Sequence, residues 1–153
     1  MTFSMKGKIA CWIVPDQRLL ELRLMGFWTM EVAETIDVEI RRHIDEVGGG
    51  GKIGFKMLID AAQFQVQSDA VRETIVKKSI VYSINHGLEM SARIVSRAIT
   101  QLQFKSLKRE VDIISDNKNV QFGEFYTRRE AMAWLGLPFF MQEDPPQGDE
   151  PAG

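Results

Sequence analysis

Apolar and polar positions alternate near the start of the chain, a pattern typical of strands with one buried face. In the segment Arg18–Met25, three leucines alternate with Glu21 and Arg23. The preceding segment, Lys8–Val14, is rich in β-forming residues, and the residues between the two segments, Pro15-Asp16-Gln17, favour a turn. The pattern therefore predicts an opening β-hairpin.

After the hairpin, apolar residues recur at helical spacing. Thr29 is a suitable N-cap for a first helix, and the glycine run Gly48–Gly51 ends it. The apolar stripe of this helix consists of Val32, Ile36, Ile40, Ile44 and Val47. Further helices are predicted from about Ser68 to Asn85, from Thr100 to Ile114 and from Thr127 to Leu135. The last two open with capping boxes.

The remaining predicted strands are Ile53–Asp60, Arg93–Ile99 and Val120–Phe125. A starting hairpin followed by strand–helix alternation predicts an α/β fold with a mixed five-stranded sheet, in which right-handed crossovers join the later strands. Because several strands alternate rather than being apolar throughout, we expect the helices mainly on one face of the sheet. The charged residues expected on the other face are Glu21, Arg23, Lys56 and Arg97.

Composition indicates one domain and excludes some partners. The chain has 153 residues and a net charge of −2, so no broad basic surface is available for nucleic acid. We expect a single domain over residues 1–141 and a disordered acidic, proline-rich tail over 142–153. No apolar run reaches the length of a membrane span, and the N-terminus lacks the apolar stretch of a signal peptide. A cytoplasmic location is therefore expected.

Four segments together resemble a known family. They are Met25-Gly26-Phe27-Trp28-Thr29 after the hairpin, Leu58-Ile59-Asp60 at the end of a strand, the strand Arg93–Ile99, and the closing stretch from Phe125 to Leu135, in which Glu-Ala is followed by Trp-Leu. Over residues 7–137 the chain resembles the SpoIIAA-like branch of the STAS (sulfate transporter and anti-sigma factor antagonist) family.

The resemblance implies a bacterial, non-enzymatic regulatory domain that binds a protein partner. Anti-sigma factor antagonists of this family are switched by phosphorylation of a serine at the start of the second helix, within the motif Asp-Ser-Ser-Gly. This chain has Gln67-Ser68-Asp69-Ala70 there, so Ser68 is either a phosphosite or simply a helix N-cap. Related domains are likened to lipid-binding Sec14-type folds, which keeps a carrier of a small apolar or lipid-like ligand as the alternative.

Aromatic residues supply two further hypotheses. Phe27, Trp28 and Phe64 follow predicted strands, and we expect them to line a small apolar pocket at the strand ends. Trp12 alternates with the apolar residues beside it and is expected on the charged sheet face. An exposed Trp12 among Arg23, Lys56 and Arg97 would suit a two-fold homodimer interface. Trp134 lies on an apolar helix stripe and is expected in the core.

Catalytic and metal-binding patterns are not recognisable in the sequence, and we expect neither a metal nor another cofactor. Cys11 falls in an apolar run and is interpreted as a buried hydrophobe. His43 and His86 lack companion ligands and are interpreted as surface or capping residues. The run Gly48–Gly51 before Lys52 lies between a helix and a strand, the reverse of a phosphate-binding loop.

Overall fold

The computed structural model describes residues 3–6, 9–65, 68–96 and 119–138. Its strands are β1 (Phe3–Lys6), β2 (Ile9–Val14), β3 (Leu19–Gly26), β4 (Phe55–Phe64), β5 (Leu88–Ile94) and β6 (Gln121–Phe125). Its α-helices are α1 (Met30–Val47), α2 (Asp69–Thr74), α3 (Val81–Asn85) and α4 (Arg128–Leu135). A π-helical segment, Ile75–Ile80, connects α2 to α3, and a 3-10 turn joins β2 to β3.

The strands form one mixed sheet in the order β1-β2-β3-β4-β5-β6. Strand β2 runs antiparallel to both of its neighbours, β1 and β3, whereas β3 to β6 run parallel to one another. The predicted hairpin is β2–β3, in which Trp12 lies opposite Glu21. The mixed α/β sheet is thus confirmed, and β1 adds an edge strand that the hydrophobic pattern did not predict.

Side-chain caps start both of the longer helices where the sequence predicts. The Thr29 hydroxyl accepts a hydrogen bond from the Val32 amide at 3.3 Å and starts α1. In α4 the Thr127 hydroxyl accepts from the Glu130 amide at 3.2 Å, as expected for a capping box. The left-handed backbone of Gly136 (φ 73°) ends α4.

Several strand boundaries differ from the prediction, two of them because hydrogen bonding to neighbouring strands decides where the strand begins or ends. Strand β4 continues to Phe64, which pairs with Gly26 at the end of β3 beyond an irregularity in the register. Strand β5 begins at Leu88, where it pairs with Phe55, five residues before the predicted start at Arg93. The predicted helix Thr100–Ile114 and the acidic tail lie outside the described residues.

Buried side chains form a separate apolar cluster on each sheet face. The larger cluster joins the sheet to α1 and to the helical region 69–85, and includes Ile9, Leu22, Ile36, Ile44 and Met57. The smaller cluster joins the other face to α4, and consists of Leu19, Leu58, Ala92, Ile94, Ala131, Met132 and Leu135. Most described helical residues therefore lie on one face, as predicted, while α4 packs on the other.

Candidate functional site

An apolar cavity lies between the sheet and the helices on the larger-cluster side. It has a volume of about 60 Å³, measured as the space open to the centre of a water-sized sphere. A site needs only roughly 10–15 Å³ by this measure to hold one water, so the cavity exceeds an ordinary packing gap. The residues that line it are Leu22, Leu24, Trp28, Ala33, Ile36, Ile40, Met57, Ile59, Phe64, Ile75, Ser79, Ile80, Ser83 and Arg93.

Two aromatic rings form part of the cavity lining. The centroids of Trp28 and Phe64 lie 4.6 Å apart in an edge-on arrangement, and both side chains are buried. The indole N–H of Trp28 donates to the Met25 carbonyl at 3.0 Å, which fixes the orientation of the ring. Of the three residues expected to form a pocket, Phe27 is absent from the lining and 46% exposed.

Polar groups line a second, smaller cavity that shares several residues with the first. It has a volume of about 30 Å³, shares Met57, Ile59, Ile80, Ser83 and Arg93 with the first, and is completed by Leu88, Ser91 and Phe122. Ser83 and Ser91 are buried, and the Arg93 side chain is only 8% exposed. The strand alternation that points Ser91 and Arg93 to this face was not recognised, because the predicted strand began only at Arg93.

A polar network attaches the π-helical segment to α1 beside the cavity. The carboxylate of Asp37 is buried, accepts a hydrogen bond from Ser79 at 2.9 Å and pairs with Arg41 at 2.9 Å. One turn on, the Tyr82 hydroxyl donates to Asp45 at 2.6 Å, and this bond raises the pKa of Tyr82. These contacts hold together the two helical walls of the cavity.

A third group of polar residues is buried where α1 crosses β2. Burial raises the pKa of the Cys11 thiol to about 12, so the thiol stays protonated at neutral pH. The ring of His43 is fully buried, and its Nδ1 lies 2.9 Å from the Glu39 carbonyl oxygen. Within the described part of the chain, Nε2 of His43 has no hydrogen-bond partner. The expectation of a surface or capping role for His43 is therefore wrong, because the ring lies on the inner face of α1.

The expected interface around Trp12 is not an open surface. Trp12 is only 4% exposed, and its indole N–H donates to Glu21 at 2.9 Å. Arg128 of α4 pairs with the same carboxylate at 2.6 Å, and Lys56 donates to the Leu135 carbonyl at 2.7 Å. The alternation placed these charged residues on one face correctly, but α4 packs against that face.

The expected interface also included Arg23 and Arg97, of which only Arg23 lies among the described residues. The Arg23 guanidinium lies 3.8 Å from the Asp60 carboxylate, and both side chains are only partly exposed. Arg97 lies outside the described residues. Because Trp12, the central residue of this patch, is buried, its exposure does not support a homodimer interface there.

Ser68 has the geometry of a helix cap. Its hydroxyl accepts from the Val71 amide at 3.3 Å at the start of α2, and the residue is exposed. His86 follows α3 and stacks on Tyr82 with ring centroids 3.8 Å apart, and its Nδ1 donates to the Tyr82 carbonyl at 2.7 Å. Among the described residues, no three His, Cys, Asp or Glu side chains are placed to share a metal ion.

Helices able to cross a membrane are not found in the described ranges, since none is both long and apolar enough.

No protein-family model matches the chain, and no curated protein matches it at a significant level. A structural match is found with an uncharacterised protein of the DUF3478 family from Shewanella loihica PV-4, which has a SpoIIAA-like fold. The TM-score is 0.59 at 20% identity, covering 88% of this chain and 98% of the other. The fold is therefore SpoIIAA-like.

Proposed function

We propose that this SpoIIAA-like domain binds a small, largely apolar ligand in the cavity between α1, the π-helical segment and the sheet, without catalysing a reaction. The cavity itself is the observation that carries the proposal. At roughly 24 cal/mol per Å³, an empty space of this size costs the fold about 1.4 kcal/mol. A ligand that fills it would recover that cost.

The position of the π-helical segment supports the same proposal. π-Helical turns are rare and frequently occur at functional sites. Here the segment contributes Ile75, Ser79 and Ile80 to the lining, and Ser79 is held by Asp37 of α1. Binding rather than catalysis is favoured because the described lining residues include no Cys, His, Asp, Glu or Lys.

Ala33→Leu tests the proposal by filling the cavity from α1. Ala33 is buried in the lining, so we expect the larger side chain to occupy the space, abolish binding of 1-pentanol and leave the melting temperature unchanged or higher. Binding is measured by two-dimensional amide NMR. The matched control is Ala133→Leu on the exposed side of α4, which should bind 1-pentanol as the wild type does. Absence of saturable shifts in the wild type would refute the proposal.

A second candidate function, a regulatory domain that binds a protein partner, is favoured by an exposed apolar pair. Phe27 is 46% exposed and Met30 38% exposed, and the Met30 sulfur accepts from the Thr74 hydroxyl at 3.6 Å. Met30 thus contacts the last residue of α2, a helix that begins just after Ser68. Phosphorylation at Ser68 would place negative charge near this surface.

Native mass spectrometry of the chain recovered from its own cells tests this second function. We expect a copurifying protein that is lost on Phe27→Ser and on Ser68→Asp. The control is Val38→Ser, which removes an apolar side chain that is even more exposed, at 60%, from the middle of α1. Loss of the partner in all three variants, or in none, would count against this surface.

A further inference from the structure

Two serine side chains line the larger cavity from its helical wall. Ser79 belongs to the π-helical segment and Ser83 to α3, and residues four apart lie on the same side of a helix. Ser83 is only 2% exposed, and Ser79 is partly buried. Apart from these serines, Trp28 and Arg93, the described side chains of the lining are apolar.

Both serine hydroxyls use their one proton for a hydrogen bond within the protein. Ser79 Oγ donates to the Asp37 carboxylate at 2.9 Å, and Ser83 Oγ donates to the Ile80 carbonyl at 2.7 Å. A carbonyl can only accept, and so can a carboxylate that is ion-paired with Arg41, so neither bond can be reversed. In the described part of the chain, neither serine oxygen accepts a hydrogen bond. Each therefore keeps lone pairs for a ligand.

The hydrogen-bond donors of the same lining are engaged by the protein. The Trp28 indole donates to the Met25 carbonyl at 3.0 Å. Arg93 has interactions of its own within the protein, and Glu124 of β6 is its cross-strand neighbour on the same sheet face. Among the described residues, the lining of the larger cavity thus offers acceptors at the two serines, whereas its donors already have partners.

We infer that the ligand is a neutral, largely apolar molecule with one O–H or N–H group, which donates to Ser79 or Ser83. This inference rests on the proposed ligand-binding function and specifies the chemical class of the ligand. A charged group would lose its hydration in this apolar lining at a high cost. A neutral donor loses little once a serine oxygen accepts its proton, and that bond fixes the orientation of the ligand.

Two isomers of the same composition test the inference: 1-pentanol, which has a donor, and butyl methyl ether, which can only accept. Each is titrated into the wild type by amide NMR. We expect 1-pentanol to bind roughly two- to tenfold more tightly than the ether, the range for one neutral hydrogen bond. In the double variant Ser79→Ala/Ser83→Ala this preference should disappear, while the ether binds at least as tightly as it binds the wild type.

Thr35→Val is the matched control for loss of a helix hydroxyl. The Thr35 hydroxyl also donates to a carbonyl of its own helix, that of Glu31 at 3.0 Å, but Thr35 is exposed on α1 and is not part of the lining. We expect this variant to keep the full preference for 1-pentanol. Loss of the preference in Thr35→Val as well would show that it does not depend on the cavity serines, and would contradict the inference.

The remaining outcomes separate this inference from the function on which it rests. If the ether binds the wild type as tightly as 1-pentanol, or if the preference survives in the double variant, the assignment of a donor to the ligand is wrong although ligand binding stands. If neither isomer binds the wild type, the ligand-binding function itself fails. Should the double variant not fold, the comparison of the two isomers on the wild type still decides the question.

Discussion

Cys11 shows how much the environment of one residue changes its chemistry. The thiol is fully buried where β2 meets α1, and burial, together with the nearby Glu39 carboxylate, raises its pKa from 9.0 to about 12. A thiolate, not a thiol, is the nucleophile, so Cys11 is chemically inert in the folded protein. The sequence prediction of a small buried hydrophobe agrees with this position.

The raised pKa of Cys11 makes part of the protein's stability depend on pH. The unfolded thiol ionises near pH 9 and the folded thiol only near pH 12, so this contribution is complete below pH 9 and is lost as the pH rises toward 12. The loss approaches about 4 kcal/mol at the upper end, at about 1.4 kcal/mol per pH unit.

Urea unfolding at pH 7, 9 and 10.5 measures this dependence. We expect the free energy of unfolding of the wild type to fall more steeply above pH 9 than that of Cys11→Ala, because only the wild type has the thiol. In the native state the thiol should also resist iodoacetamide at pH 8 and become reactive in urea. Parallel pH profiles for the two proteins would show that burial does not perturb the thiol.

Helix α4 illustrates the difference between an apolar pattern and actual burial. Ala131, Met132 and Leu135 are buried against β4 and β5, whereas Trp134 is only partly buried. The Trp134 ring lies 5.4 Å from the ring of Phe125 on β6. Trp134 therefore packs against the smaller cluster without being enclosed in it, so the expectation of a core residue holds only in part, because this side of the helix faces the edge of the sheet.

Leu135→Ala and Trp134→Ala should accordingly differ in cost. We expect Leu135→Ala to lower the free energy of unfolding by about 2–5 kcal/mol, the usual range for a fully buried leucine. Trp134→Ala should cost less despite removing a larger side chain, since part of its surface is already in water. Chemical denaturation of the two variants decides between the assignments, and a larger loss for Trp134→Ala would place that ring in the core.

On the scale of the whole molecule, Glu21 links the hairpin to α4. Glu21 is only 4% exposed, and its carboxylate accepts from the Trp12 indole of β2 and pairs with Arg128 of α4 at the same time. Lys56 makes a second connection from β4 to the end of α4. Because Glu21 and Lys56 have polar partners on α4, this helix can cover the charged sheet face without burying their charges unpaired.

Glu21→Ala should therefore weaken the attachment of α4. We expect the free energy of unfolding to fall by about 2–4 kcal/mol, because the buried indole N–H and the Arg128 charge lose their acceptor. Asp60→Asn is the matched control, since its pair with Arg23 at 3.8 Å is more exposed and should contribute less than about 1 kcal/mol. Hydrogen exchange of α4 amides, faster in Glu21→Ala alone, would identify the affected element. Equal losses in the two variants would contradict the linking role of Glu21.

The sequence by itself determined the order of the elements from β2 onward and, for β2, β3 and β4, which residues share a face. Alternation placed Glu21, Arg23 and Lys56 together, and Thr29 and Thr127 marked helix starts, because these signals depend on backbone geometry within a few residues. The ligand pocket expected near the strand ends remains a proposal. Two of its three residues, Trp28 and Phe64, line the observed cavity.

Only the tertiary structure decided what each face packs against. A period-two pattern separates the two sides of a strand, but it contains no information on whether a distant helix covers one of them. For this reason Trp12 is buried although its sheet face was expected to be exposed to solvent. His43 is likewise buried, between α1 and the sheet. The cavity and the position of Arg93 within it arise in the same way, from the fit between side chains of elements that are far apart in the chain.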